Sequence, residues 1–298
     1  MISQICLEWF SERPKSIQRC AVGQGNYVYI VECGEAKYVF RCSEEHNAYD
    51  NTVYWLDKLS SIEIPVPKVI GKGKFKEYEY LILSYMEGKD IGIVYPGLND
   101  KDKRVIAKEI VSIQNKVAAL KLDNVPEDWS WTGFIIYMLE RARERIARNG
   151  YFKVEKVERL LEQMAQLEEY FEEVKPLAYL DDISSKNLLI HNGRISGIID
   201  IDWMGIGDKL TYVALTNMAL TNMEYDRDYV RYILEEMQIS DMERKAFLFY
   251  TLMYCVDFMG ERGMQFMDKK VEVNGRVIDR LNGIYDSLWA EWSDIRGR

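Results

Sequence analysis

Residues 179–203 read YLDDISSKNLLIHNGRISGIIDIDW, and the fold is decided there. Asn192-Gly193 stands between the β-rich runs LLIH and RISGIID. A two-residue turn of that composition is the strongest short hairpin signal, because both of its central residues must take positive φ. With His191 and Arg194 closing the turn, facing positions sum to 385. Asn187 then faces Ile198, and Asp200 is its diagonal neighbour on the same face, about 7 to 8 Å away. Asp182 enters the same end of the ribbon, so three oxygen-bearing side chains are expected together, with Lys186 the one local cation. Carboxylate and amide oxygens at that spacing suit a hard divalent cation such as Mg²⁺, completed by water and substrate phosphates. A metal and a nucleotide are implied together. A plainer reading has Asp182 and Asn187 shape a turn while Asp200 and Asp202 flank a strand end, and spacing by itself leaves both open.

The rest of the composition narrows the class. The chain has 298 residues, 48% hydrophobic and 29% charged, with 6 Pro and 19 Gly, which excludes a disordered or collagenous chain. Its length predicts two domains or one two-lobed unit. A net charge of -9 argues against electrostatic binding to nucleic acid or to an anionic membrane. Five cysteines (Cys6, Cys20, Cys33, Cys42 and Cys255) without C-x-x-C spacing read as reduced thiols of a cytoplasmic protein. The first residues, MISQICLEWFSERPK, lack the basic and cleavage features of a signal peptide, and no apolar run is long enough to span a bilayer. With His46 and His191 the only histidines, chemistry must rest mainly on carboxylates, amides and cations.

Residues 1–90 alternate β-rich runs (from Tyr27, Lys37 and Tyr78) with Gly-bearing turns, interrupted by one helix predicted from about His46 to Leu59. Pro65 and Pro67 cannot continue that helix. Beyond about Asn99 the period becomes helical. Ile106, Ile110, Ile113, Val117 and Leu120 form one stripe, and Val157, Leu161, Met164, Leu167 and Phe171 another. Ser240 with Glu243 is a capping box before FLFYTLMYCVDF, and Ile278, Leu281, Tyr285, Leu288 and Trp292 share one face of the last helix. The expectation is an α+β chain with a small antiparallel β-sheet lobe, 1–90, and a larger helical lobe, 91–298. The first carries -2 and the second -7.

Asp182 followed by Asn187, the hairpin into Ile199-Asp200 and Gly205-Ile206-Gly207-Asp208 resemble the core of the aminoglycoside phosphotransferase and choline kinase family, relatives of the protein kinases. The resemblance extends over most of the chain. Val22-Gly23-Gln24-Gly25-Asn26 resembles the family's nucleotide loop, Tyr38-Val39-Phe40-Arg41 its third strand, Ile64-Pro65-Val66-Pro67 a typical segment, and Leu81 to Gly88 its hinge. It implies a protein-kinase-like two-lobed fold that binds ATP or GTP with Mg²⁺ and a small-molecule acceptor. Asp182 would be the catalytic aspartate, and Asn187 and Asp200 the metal ligands. Gly23, Gly25 and Asn26 would face the phosphates, Arg41 the α/β-phosphates, and the main chain of Ser84 and Met86 the base. For the acceptor the resemblance points to the helical lobe: Asp181, Asp202, Trp203, Asp257 and Glu261 are the candidates. Asp257 is expected to face that pocket, because it interrupts an apolar helix.

The sequence departs from the family at three places. Leu180 stands where a loop-anchoring His is usual, Tyr212 where an Asp is expected, and Thr52 where a Glu should pair with the basic residue of strand three, leaving Asp50 as the expected partner of Arg41. These departures admit a nucleotide-binding degenerate kinase that acts by interaction. A third reading is a glycosyltransferase using Asp200-Ile201-Asp202 as a metal pair. The leading reading is a small-molecule kinase whose acceptor is aminoglycoside-, choline- or amino-alcohol-like.

Overall fold

The change of hydrophobic period becomes a change of architecture in the computed structural model, which describes residues 1–20, 27–123, 125–183, 186–266 and 269–296. The chain opens with helix α1 (Ile2–Phe10), strands β1 (Ser16–Arg19), β2 (Tyr27–Cys33) and β3 (Ala36–Ser43), and helix α2 (Asp50–Ser61). Strands β4 (Val69–Phe75), β5 (Tyr78–Ser84) and β6 (Lys89–Asp90) and the one-turn helix α3 (Ile91–Val94) follow. Next come helices α4 (Asp100–Ala118), α5 (Trp131–Asn149), α6 (Glu155–Gln163) and α7 (Glu168–Glu173). Four short strands, β7 (Ala178–Tyr179), β8 (Leu188–His191), β9 (Arg194–Ile198) and β10 (Gly205–Ile206), lead into helices α8 (Leu210–Asn222), α9 (Asp228–Met237) and α10 (Asp241–Glu261). The two-residue strands β11 (Gln265–Phe266) and β12 (Lys269–Lys270) precede the last helix, α11 (Gly275–Arg296).

The chain divides into two units, Met1–Asn99 with Ile183–Met204, and Asp100–Asp182 with Gly205–Arg298. This grouping differs from the expected 1–90 and 91–298 chiefly in where residues 183–204 belong. The β8–β9 hairpin carries a free strand edge that needs a partner. That partner is β6, through Lys89 opposite Ile190 and Asp90 opposite Leu189, and Ile198 N–H donates to the Pro65 carbonyl at 2.7 Å.

In the first unit a five-stranded antiparallel sheet has the order β1-β2-β3-β5-β4. Alternation sends Phe40 and Cys42 of β3 and Tyr80 and Ile82 of β5 to one face, where Ile2, Ile5 and Cys6 of α1 close a core. Arg41 and Leu81, of opposite parity, face the other way. The helix expected from His46 begins at Asp50. Asn47 takes φ 57 with its N–H held by Glu79 at 2.9 Å, and a left-handed residue cannot belong to a right-handed helix. Helix α1 is an addition to the expected lobe, built on Ile2, Ile5 and Cys6 at i, i+3, i+4.

The second unit is organised around α10, which packs against α5, α8 and α11. The capping box forms as read: the Ser240 hydroxyl accepts from Glu243 N–H, and the Glu243 carboxylate accepts from Ser240 N–H. The stripe from Val157 to Phe171 is split by a 3-10 turn at Met164–Leu167 into α6 and α7. Gly207 takes φ 134 and lies under Trp131; a Cβ there would come within 2.2 Å of the indole, so no other residue fits. Burial pushes the Cys6 and Cys255 thiols up to about 12 and Cys42 to about 11, so none of the three is a ready nucleophile. Among the described residues, no helix is long and apolar enough to cross a membrane.

Candidate active site

The first unit holds Arg41, Ser84, Met86, Asn187, Asp200, Asp202 and Trp203; the second holds Asp181, Asp182, Asp257 and Glu261. Gly23, Gly25 and Asn26 lie outside the described residues.

Arg41 projects from the face of β3 turned away from the α1 core and is only 6% exposed. Its two terminal nitrogens donate to the two carboxylate oxygens of Asp202 at 2.8 and 2.6 Å, a bidentate pair. The Thr52 hydroxyl donates to the same carboxylate at 2.7 Å, and the Asn51 amide donates to the Asp202 carbonyl. Asp200 stands 3.6 Å from the guanidinium. Burial works against the charged form of Asp202, but the Arg41 guanidinium and the Thr52 hydroxyl outweigh it and hold the carboxyl below its ordinary value. Two expectations are corrected here. Asp50 pairs with Lys72 rather than Arg41, because it sits two residues before Thr52 on α2, on another face of the helix. Asp202, expected to meet the acceptor, has both carboxylate oxygens taken by Arg41.

The hairpin turn is as read: Asn192 and Gly193 take φ 50 and 75, and His191 faces Arg194. Two residues into the ribbon the register slips, so that Leu189 faces Gly197 and Leu188 faces Ile198. The extra residue is Ser196, whose hydroxyl donates to the Glu87 carbonyl at 2.6 Å. Asn187 therefore receives Ile199 N–H at its carbonyl instead of facing Ile198. The slip undoes the expected diagonal relation to Asp200. The direction of Asp200 is set instead by its own backbone, at φ 62, a left-handed conformation that aspartate tolerates better than most residues. Asn187 is buried and the Asp200 side chain is 61% exposed. Among the described residues no three His, Cys, Asp or Glu side chains cluster as a metal site. An amide and a carboxylate fit a Mg²⁺ that keeps water and phosphate ligands, and do not make a closed protein cage.

In the hinge, Ser84 N–H donates to the Lys68 carbonyl and its hydroxyl accepts from Lys68 N–H, both at 2.9 Å, so this N–H is not open to a base. The Met86 side chain lies against Gly197, where a Cβ would approach it to 3.1 Å. Trp203 is 75% exposed.

In the second unit, the loop before Asp181 is gripped by Gln114, which is not among the residues expected at the site. The Gln114 amide, 1% exposed on α4, donates to the Leu180 carbonyl at 2.8 Å and accepts Leu180 N–H at 3.0 Å. A polar residue on the buried stripe of α4 was the available signal. Gln114 does the anchoring that Leu180 cannot. Gln114→Ala should lower stability by roughly 2 kcal/mol, because the buried N–H and C=O of Leu180 both lose their partner; denaturant titration checks it. Tyr212 is buried with its hydroxyl unpartnered among the described residues. Asp208 accepts hydrogen bonds from Tyr170 (2.6 Å), Tyr250 (2.9 Å) and Leu210 N–H (2.9 Å), which ties the Gly-Ile-Gly-Asp run to α7, α8 and α10.

Asp182 is exposed, whereas burial and the neighbouring Asp182 charge push the Asp181 carboxyl up to about 6. The folded chain thus keeps this proton to a higher pH than the unfolded chain does. The stability this contributes is complete below about pH 4 and is lost as pH rises through 6. Asp181→Asn should therefore melt higher than wild type above pH 6, with the gap opening between pH 4 and 6. A gap independent of pH would refute the assignment.

Asp257 is 7% exposed and is not open to a ligand. Arg141 donates to its two oxygens at 3.0 and 3.1 Å, and Arg145 donates to one of them at 3.2 Å. Glu261 lies 3.9 Å from Arg145, and burial followed by the Asp257 charge raises its carboxyl. The expectation that Asp257 faces an acceptor pocket gives way to a carboxylate neutralised by two arginines of α5. A cleft of about 680 Å³ among α8–α11, lined by Arg227, Arg231, Arg244, Phe247 and Leu288, holds none of the expected site residues. Phe247 precedes Asp257 by ten residues on α10, about 15 Å of helix.

A strand-rich unit with a buried strand-three cation, and a helical unit bearing the Asp181-Asp182 loop, define a protein-kinase-like fold. Comparison with solved structures agrees: a thermostable mutant of aminoglycoside phosphotransferase APH(4)-Ia in ternary complex with AMP-PNP and hygromycin B superposes with a TM-score of 0.69 at 17% identity, over 96% of this chain and 98% of that one. ADP-bound APH(2″)-Ib gives 0.69 at 15% identity over 96% of each chain, and the streptomycin-ATP-APH(2″)-IIa complex 0.66 at 15% over 99% and 97%. Residues 16–244 match the model of the phosphotransferase enzyme family, APH, and the chain belongs to that family. A Staphylococcus aureus protein described as uncharacterized, from the ileS 3′ region, is 27% identical over 119 residues, 38% of this chain and 86% of that protein.

Proposed function

We propose that the protein transfers the γ-phosphoryl of ATP or GTP to a hydroxyl of a small acceptor that is aminoglycoside-, choline- or amino-alcohol-like. The observation that carries this is the buried Arg41, held by a bidentate carboxylate within 3.6 Å of Asp200, on the unit that also carries Asn187. In this reading Asp182 orients the acceptor hydroxyl and accepts its proton. Asn187 and Asp200 hold Mg²⁺, which when bound neutralises phosphate charge. Arg41 contacts the α/β-phosphates, and Gly23, Gly25 and Asn26, outside the described residues, are assigned to phosphate binding by their sequence motif alone. The Met86 main chain meets the base, with Ser84 as the strand end that positions it. The transition state is loose, so positioning and charge neutralisation carry the rate. Asp181, beside Asp182, and the exposed Trp203 are the acceptor-side candidates in this reading. Five free cysteines accord with a cytoplasmic protein.

Gln114 supports turnover over binding alone, because it restores the loop anchor whose apparent loss at Leu180 had suggested degeneracy. The bidentate engagement of Asp202 argues against a glycosyltransferase using Asp200 and Asp202 as a metal pair. Calorimetric titration with ATP and GTP, with and without Mg²⁺, tests the reading: affinity should rise with the cation. Acceptor-stimulated ADP or GDP release from amines, amino alcohols, sugars and macrolides then identifies the acceptor. Absence of nucleotide binding under both conditions would overturn the proposal.

A further inference from the structure

Arg41 is a buried cation on the sheet, and a buried guanidinium needs a fixed carboxylate to hold its plane. Helix α2, the expected source, offers none: Thr52 occupies the facing position and Asp50 belongs to Lys72. The carboxylate arrives instead from 161 residues away, on the segment that follows Asp200. We propose that Asp202 is the residue that positions Arg41 for the nucleotide phosphates, with Thr52 and Asn51 as its supports, so that the carboxylate of this ion pair has moved from α2 to the metal-binding segment. The proposal rests on the nucleotide reading above.

Three features of the geometry give Asp202 this role. Both of its oxygens face the fork of Arg41, which fixes the guanidinium plane as a single contact could not. Its third bond, from Thr52, and the Asn51 amide on its carbonyl tie residue 202 to α2, so the helix acts on Arg41 through Asp202. Asp200, two residues earlier and left-handed at φ 62, is 3.6 Å from the same guanidinium. One short segment therefore sets both the phosphate-binding cation and the metal-binding carboxylate, and nucleotide affinity depends on residue 202 although that residue meets no phosphate. The pairing also explains arginine at position 41: a lysine ammonium cannot make the planar fork.

The geometry offers a rescue. Thr52 Oγ1 is 2.7 Å from an Asp202 oxygen that is itself 2.8 Å from Arg41. A glutamate at position 52 reaches about 2.5 Å further than threonine, into the space an Asp202→Ala variant vacates. Full-length wild type, Asp202→Ala, Thr52→Glu and the double variant are titrated with ATP and Mg²⁺ by calorimetry and melted without nucleotide. Asp202→Ala should bind ATP about tenfold or more weakly and melt about 5 °C lower. The double variant should recover more than half of both losses. Thr52→Glu in the Asp202 background should melt below wild type, because two carboxylates then crowd one cation. A purely structural Asp202 would lower the melting temperature and leave ATP affinity at the wild-type value, which overturns the proposal; so does a double variant that recovers neither quantity. A wild type that binds no nucleotide removes the phosphotransferase reading itself. A wild type that binds, beside an Asp202→Ala variant that binds equally well, removes only this inference.

Discussion

Asp182→Asn should lower turnover by a factor on the order of 10² to 10⁴, the usual worth of a positioned acid or base. The amide keeps the size and a hydrogen-bonding oxygen but loses the charge that orients the acceptor hydroxyl and takes its proton. Asp182 is exposed, at the end of a loop whose preceding peptide is locked by Gln114, so the substitution should leave the fold intact. Nucleotide affinity should change little. Asp200→Ala should differ by losing Mg²⁺-dependent nucleotide binding together with turnover. Steady-state kinetics beside calorimetric titration separate the two variants. An Asp182→Asn protein that phosphorylates its acceptor at the wild-type rate would falsify the catalytic assignment.

Asp257→Ala should destabilise the protein by about 3 kcal/mol, because removing one partner of a buried ion pair leaves the other charge uncompensated. Arg141 and Arg145 converge on this carboxylate from successive turns of α5. Without it the two guanidiniums repel each other, and the Arg141 Nε, already buried and unpartnered among the described residues, gains no substitute. Their partial exposure allows some resolvation, so the melting temperature should fall by roughly 5 to 10 °C and the protein should remain folded at 25 °C. Nucleotide affinity and acceptor KM should stay at wild-type values. A raised acceptor KM with an unchanged melting temperature would return Asp257 to the acceptor site.

Asp257 also shows where reading the sequence stopped. A carboxylate between Val256 and Phe258 needs a partner or a cleft. Two arginines 116 and 112 residues earlier supply the partner, and no pattern within α10 indicates them. Gln114 is similar: its polar side chain on a buried stripe was visible, but its grip on Leu180, 66 residues on, was not. Helix α1 is legible in the i, i+3, i+4 spacing of Ile2, Ile5 and Cys6, a period short enough to be carried by three residues.

By itself the sequence determined whatever depends on neighbours a few residues apart. The 2-residue and 3.6-residue periods set a sheet-bearing first part and a helical second. Asn192-Gly193 set a turn with two positive φ values, and Ser240 with Glu243 set the start of α10. The order of the motifs, from Val22-Gly23-Gln24-Gly25-Asn26 through Arg41 and Leu81 to Gly88 on to Asp182, Asn187 and Asp200, pointed to the family that the match over residues 16–244 shows. Only the tertiary structure decided the bulge at Ser196, the left-handed Asp200, and the choice of Asp202 over Asp50 as the partner of Arg41. The chain offers Arg41 48 acidic residues of nearly equal chemistry, and local signals cannot rank partners far apart in sequence. That choice falls to packing, which brings Asp202 to 2.6 Å of a buried guanidinium with Asp200 beside it at 3.6 Å, and gives Asp50 to Lys72.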